Sequence, residues 1–342
     1  MGHLVAAPDK FRGTASAASV AGAAALGASR AGWTTDPCPM ADGGEGLLEA
    51  VEAVGGQLRS ARVIGPDGVG TVTARWSLLD GGRTAVIEMA EAAGLSLAGG
   101  PLGNHPLGAT TAGVGQLVLE AVRAGATRIV VGCGGSATTD GGEGAVTAIG
   151  GPDRLPGVEL LVAVDVDTRF EQAAVVFGPQ KGATPDQVEA LTLRLEAQAE
   201  RYRRRFGVDV APLPGSGAAG GLAGGLAALG ARIVPGFDLV AELVGLPGRL
   251  AAADVVMTGE GRLDATSLAG KVVSGVLRYS PASIPVLCVV GDADPSAALA
   301  LPPRVVLVRL VEIAGLERAR SAVTELVAEL VCRELEKLDG TA

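Results

Sequence analysis

The residues with the most chemical promise are acidic side chains set among glycines. Asp42-Gly-Gly-Glu-Gly46 recurs letter for letter at Asp140–Gly144, inside "GGSATTDGGEG", and "TGEGRLDATS" (258–267) is a third acidic, glycine-rich turn. Glycines let backbone N–H groups approach an anion closely, and a helix N-terminus adds favourable partial charge. Carboxylates in such loops hold Mg²⁺ or take a proton from a hydroxyl. The combination points to phosphate with Mg²⁺. A plainer reading competes, in which Asp42 and Asp140 are helix N-caps with Glu45 and Glu143 at N3. Three such loops, and the hydroxyls of "GGSATTD", favour a site, although one aspartate can serve both purposes.

Two familiar phosphate motifs carry less. "LAGKVVS" (268–274) has Gly270-Lys271, but Val272 stands where the ATP loop needs Ser or Thr, and no strand directly precedes it. A Gly-x-Gly-x-x-Gly runs from Gly215 to Gly220 after two prolines, and reads as a tight helix start whose small residues allow close packing. On its own it also suggests a nicotinamide-dependent oxidoreductase, a remote alternative.

Elements that must position these loops follow a strand-then-turn grammar. Short apolar runs at 3–9, 128–136, 159–167, 254–261, 285–292 and 304–310 read as strands, most of them ending in polar, glycine-rich turns. Alanine-rich 15–32 reads as the first helix. Leu316, Ala319, Val323, Leu326, Leu330 and Leu338 fall at helical spacing and predict an amphipathic closing helix. Thr184, Pro185 and Gln187 form a capping-box signature. Residues 62–94 differ, with period-two runs around Pro-Asp-Gly and Asp-Gly-Gly that predict β-hairpins. The pattern is α/β with largely parallel sheets, and the hairpins mark a second domain. The expected domains are 1–62 plus 245–342, a doubly wound parallel sheet built from both chain ends, and an inserted mixed α/β domain at 63–244.

Composition narrows the function classes. The chain has 342 residues, a formal charge of −9 and a pI near 4.9, which argues against nucleic-acid binding. The Arg-rich "RYRRRF" (201–206) ends a predicted helix, where cations suit the dipole. Four scattered cysteines and two histidines exclude a His/Cys metal site of ordinary spacing. No run approaches the ~20 apolar residues of a membrane span, and "MGHLVAAPDKFRG" carries charge where a signal peptide needs an apolar run. A cytoplasmic protein is expected, with a homodimer as one candidate assembly.

The ordered blocks "APDKFRGTASAASVA", "PMADGGEG", "TAVIEMAEAAGL", "GGSATTDGG", "VDVD", "AVVFGPQKGATP", "PGSGAAGGLAGGL" and "DVVMTGEGRLDATSLAGK" resemble the bacterial class I glycerate kinases from about residue 4 to 290. The resemblance implies a flavodoxin-like α/β domain and a second α/β domain, with the active site between them. It implies ATP-dependent phosphorylation of D-glycerate, typically at the 2-hydroxyl, with Mg²⁺ as cofactor. On the matched positions, Asp42, Asp264, Arg12 and Lys181 are the catalytic candidates. Substrate and nucleotide contacts are expected from Asp9, Lys10, Gly43, Gly44, Gly134, Gly135, Ser136, Thr138, Asp140 and Lys271, and metal contacts from Asp165, Asp167 and Glu260. Phosphoryl transfer needs mainly positioning and charge neutralisation, which suits this set. The chain departs from the pattern at "TRFEQAAVVFG" (168–178), where the family usually has Asn-Pro-Leu and a glycine loop, and Val272 replaces a usual proline. Those departures motivate two alternatives, a regulatory or ligand-binding paralogue of the same fold and a kinase for another small hydroxy acid.

Overall fold

The computed structural model describes residues 2–340. Its strands, in chain order, are β1 (His3–Ala6), β2 (Thr34–Pro37), β3 (Gln57–Ile64), β4 (Thr71–Leu79), β5 (Thr84–Glu88), β6 (Arg128–Gly132), β7 (Glu159–Val164), β8 (Arg232–Pro235), β9 (Val255–Leu263), β10 (Val286–Ala293) and β11 (Val305–Arg309). They form two sheets, ordered β11-β10-β9-β1-β2 and β3-β4-β5-β6-β7-β8. The chain divides into two compact units, Met1–Asp42 with Phe237–Ala342, and Gly43–Gly236.

Every pairing in the first unit's sheet is parallel. Counted within that unit the order is 2-1-3-4-5, the flavodoxin-like doubly wound arrangement. Alternation along β10 shows why the sheet needs helices on both faces. Leu287 and Val289 pack on one side with Val20, Ala24, Leu326 and Val331, while Cys288 and Val290 pack on the other with Val273 and Leu263. With so few aromatics, this core depends on close approach of small side chains. A Cβ on Gly27 would fall 2.3 Å from the Ala328 carbonyl oxygen, so glycine lets helix Ala17–Arg30 lie against helix Val323–Leu338.

The second unit's sheet is mixed. β3, β4 and β5 are antiparallel neighbours, and β5 to β8 are parallel. Its first hairpin closes on Asp67, whose Oδ1 accepts the N–H groups of Val69 and Gly70. Thr184 accepts the Gln187 N–H and Gln187 accepts the Thr184 N–H, so the expected capping box starts helix Pro185–Phe206.

Three features differ from the sequence expectation. The units divide at 42/43 and 236/237, not at 62/63 and 244/245, because β3 pairs along its whole length with β4. β2 and β8 are edge strands of four residues with exposed ends, and no apolar run announces them. The closing helix is two helices, Leu310–Ser321 and Val323–Leu338, and the former is broken at Gly315 (φ 75°, ψ 163°). Leu316, on the first of these helices, and Leu338, at the last position of the second, stand 59% and 57% exposed instead of entering the core. No helix among the described residues is long and apolar enough to cross a membrane.

Candidate active site

In the first unit a cavity of about 380 Å³ opens at the carboxyl edge of the sheet. It includes the β1–β9 junction, where the winding of a doubly wound sheet reverses and ligands characteristically bind. Strand lengths create it. The β1–β9 ladder stops at Ala6 and Met257, whereas the β9–β10 ladder continues to Leu263 and Ala293. The chain leaving β1 stays against β9: Ala7 N–H donates to the Met257 carbonyl (2.7 Å), Asp9 N–H to the Gly259 carbonyl (2.8 Å), and Thr258 Oγ1 to the Ala7 carbonyl (2.9 Å). Asp9 is thereby fixed close enough to Glu260 for the two charges to interact.

Crowding of acids sets their protonation. Burial pushes the Asp9 carboxyl up to about 6, Lys10 opposing and Asp42 reinforcing the rise. Glu260 is pushed up to about 7, again mainly by burial, with Asp9 and Asp264 adding to it and a bond to Ser267 pulling the other way. Its Oε1 is buried and, among the described residues, has no hydrogen-bond partner. Asp264 behaves oppositely. Its Oδ1 accepts from Thr266 Oγ1 (2.6 Å), Thr266 N–H (2.8 Å) and Ser267 N–H (3.1 Å), and the Thr266 and Ser267 bonds hold the carboxyl below its ordinary range. A carboxylate so held stays ionised, which suits it to cation contact. Lys10, Arg12, Asp42 and Lys271 line the same cavity. Of the expected residues, the first unit thus gathers Asp9, Lys10, Arg12, Asp42, Glu260, Asp264 and Lys271. Sequence reasoning missed Asp292, Leu316 and Arg320 in the lining. Asp292 ends the run "PVLCVVGD" and was legible there by the strand-end rule.

In the second unit the "GGSATTD" loop follows β6 and is pinned from several sides. Lys181 is 3% exposed, and its Nζ donates to the Thr138 carbonyl (2.7 Å). Asn104 Nδ2 donates to the carbonyls of both Ala137 and Lys181. Burial lowers the Lys181 ammonium to about 7, against the pull of Asp140 and Cys133. Lys181 thus holds the loop through the Thr138 carbonyl. Asp140 is also fully engaged. Its carboxylate accepts from Thr111 N–H and Oγ1 (both 2.8 Å), Gly142 N–H (3.0 Å) and Gly144 N–H (3.2 Å). It ties the loop to Thr111 and to the start of helix Glu143–Ile149. Ser136 and Thr138 are buried, and Thr138 Oγ1 meets the Ala219 carbonyl at 3.5 Å.

The glycines here answer to packing. A Cβ on Gly135 (φ +64°) would lie 2.2 Å from Glu45 Oε1, and one on Gly134 would lie 2.6 Å from Gly44 Cα. The first Asp-Gly-Gly loop, through Gly43 and Gly44, thus lies against the strand tip that carries the second. A Cβ on Gly220 would sit 1.9 Å from the Thr138 carbonyl oxygen, so the Gly-x-Gly-x-x-Gly segment backs the same loop. That segment follows a turn, not a strand, and gives no dinucleotide fingerprint.

Neither aspartate is an N-cap. Helix Leu47–Glu52 starts from Gly46, and helix Glu143–Ile149 from Gly142. The first helix is capped by Glu88 from the end of β5, whose Oε1 accepts the N–H groups of Gly46 (3.1 Å) and Leu48 (2.7 Å). Asp165 and Asp167 are exposed beyond β7. Among the described residues no group of three or more His, Cys, Asp or Glu is arranged to hold an ion.

Comparison with known proteins bears on this arrangement. The profile of the glycerate kinase family matches residues 4–154 and 151–331. Glycerate 2-kinase of Escherichia coli (strain K12) is 38% identical over 310 residues, covering 80% of each chain. A glycerate kinase of Bacillus subtilis (strain 168) is 37% identical over 326 residues, covering 84% of this chain and 85% of its own. The crystal structure of a candidate glycerate kinase 2 from Salmonella typhimurium LT2 superposes with a TM-score of 0.81 at 33% identity, over 99% of both chains.

Proposed function

The chain belongs to the glycerate kinase family, and on that premise we propose that it transfers the γ-phosphoryl group of ATP to the 2-hydroxyl of D-glycerate, giving 2-phospho-D-glycerate and ADP. The observation that carries this reading is the cavity at the β1–β9 switch point, which gathers the cations and carboxylates of the family-like motifs. In the reaction the glycerate oxygen forms a bond to the γ-phosphorus, the bond to the β,γ-bridging oxygen breaks, and the hydroxyl proton leaves. Lys10, Arg12 and Lys271 neutralise phosphate charge. Asp42, which follows β2 at the far side of the switch point, takes the hydroxyl proton.

The residues present fit Mg²⁺. The cavity offers hard carboxylate oxygens, and Glu260 Oε1 is a buried acceptor lacking a partner among the described residues. Mg²⁺ in kinases takes only one or two protein carboxylates beside phosphate oxygens and water, so a cage of three is not required. Asp264 and Glu260 would hold it, and when bound it would neutralise charge on the β- and γ-phosphates.

The test is ADP release with D-glycerate, ATP and Mg²⁺, with the product identified by phosphorus NMR. The 2-phosphate is expected. Folded protein that gives no turnover above background would refute the kinase assignment, and a 3-phosphate product would refute the position.

A further inference from the structure

The cavity is chemically two-ended. Of its cations, Lys10, Arg12 and Lys271 belong to the loops following β1 and β9 and Arg262 to β9 itself, whereas Val311, Leu316 and Ala319, with Arg320 beside them, line it just beyond β11. Resting on the kinase reading, we propose that the β11 end is the seat of the donor's nucleobase. ATP then lies across the carboxyl edge of the sheet, base over Leu316 and phosphates over β9 and β1.

Three observations converge on this. The first is the exposure of Leu316, which helical spacing assigns to the core. Leu316, Ala319 and Arg320, at i, i+3 and i+4 in the helical stretch after Gly315, share one face, and that face lines the cavity. An apolar side chain 59% exposed inside a charged cavity calls for an apolar, flat partner. The second is span. β11 is separated from β1 by β10 and β9, so the two ends lie about 14 Å apart at ~4.8 Å per strand. That is the reach of an extended nucleoside triphosphate from base to terminal phosphate. The third is Arg320, a planar cation beside the apolar face, suited to stacking on a purine or to meeting the α-phosphate. The polarity also agrees with Asp42 as proton acceptor, since the γ-phosphate then points towards the β2 side, where Asp42 stands.

The experiment compares Leu316→Ser, Leu316→Met and wild type for KM(ATP), for kcat, and for inhibition by inorganic tripolyphosphate, which has no base. Leu316 is exposed, so both variants should fold, and melting temperature checks this. Leu316→Ser is expected to raise KM(ATP) tenfold or more with a smaller change in kcat and an unchanged tripolyphosphate Ki, while Leu316→Met stays within about twofold of wild type. An unchanged KM(ATP) in Leu316→Ser, or parallel losses for ATP and tripolyphosphate, would overturn the proposal. ADP titration by calorimetry separates it from the kinase reading. Weaker ADP binding in Leu316→Ser alone supports the base site even if glycerate is not phosphorylated; equal binding in wild type and Leu316→Ser refutes it.

Discussion

Asp42 and Asp140 begin the same five residues, yet Asp140 spends its carboxylate on the N–H and hydroxyl donors of Thr111, Gly142 and Gly144, whereas Asp42 lines the charged cavity of the first unit. The donors nearby, not the repeated letters, decide which carboxylate can act on a ligand. Thr111, 29 residues before Asp140, supplies the difference. The first loop has Glu88 as well, which caps the following helix through the N–H groups of Gly46 and Leu48. The same contrast recurs within the cavity. Asp264 is satisfied by its own turn and stays ionised, while Asp9 and Glu260 are buried and hold their protons towards neutral pH.

The sharpest way to break the comparison is to make the same substitution in both loops. Asp42→Asn should lower kcat by about 10²–10⁴-fold, the usual worth of a general base, with a melting temperature close to wild type. Asp140→Asn turns an acceptor oxygen into an amide nitrogen facing Thr111 and Gly144 donors, and should cost roughly 3 kcal/mol or more of stability. Urea unfolding and steady-state kinetics on both variants decide it. A stable, inactive Asp140→Asn together with an active Asp42→Asn would reverse the assignment of the two loops.

A smaller effect separates the buried acids from Asp264. The Asp9 carboxyl rises from 3.8 to about 6, so the folded protein keeps a proton that the unfolded chain releases between those values. The burial cost is therefore absent below pH 4, grows between pH 4 and 6, and is complete above 6. In Mg²⁺-free buffer at pH 8, Asp9→Asn should stabilise the protein by up to about 3 kcal/mol, two pKa units converted at 1.36 kcal/mol each, and should do nothing at pH 3.5. Its Oδ1 can still accept the Lys10 N–H. Asp264→Asn should move the other way, losing stability only above the carboxylate range. Unfolding midpoints across pH measure both, and matching slopes for the two variants would show that burial does not distinguish them.

Legibility in the sequence followed what each feature depends on. Strands such as β6, β9 and β10 are buried on both faces and read as apolar runs, while edge strands β2 and β8, with exposed ends, leave no such trace. The Thr184 capping box is written within four residues and was readable for that reason. The charged cavity was legible in its residue types, because acids and cations at strand ends announce themselves. Roles were not legible, because they depend on partners distant in sequence. Nothing near Lys181 indicates that its ammonium is buried against the carbonyl of Thr138, 43 residues earlier. Leu316 failed for a local reason: one helix ends at Ser321 and the next starts at Val323, and periodicity carried across Ala322 assigns the wrong face.

The smallest effect concerns the residue that makes the two loops differ. Glu88 is 8% exposed and caps helix Leu47–Glu52 from the tip of β5. Glu88→Gln keeps an oxygen where Oε1 stands and should still accept from Gly46 and Leu48. It loses only the charge at a helix N-terminus, worth about 0.3–1 kcal/mol. Glu88→Ala leaves both N–H groups without this acceptor and should cost about 2–3 kcal/mol, with a looser 43–46 loop and a raised KM for glycerate. Urea midpoints and glycerate KM for the pair separate the two contributions. If Gln is as harmful as Ala, the negative charge is what the loop requires. Gly43–Gly46 would then be an anion-binding turn occupied from within by Glu88, and its aspartate would have to be reconsidered as one more residue serving the fold, as Asp140 does.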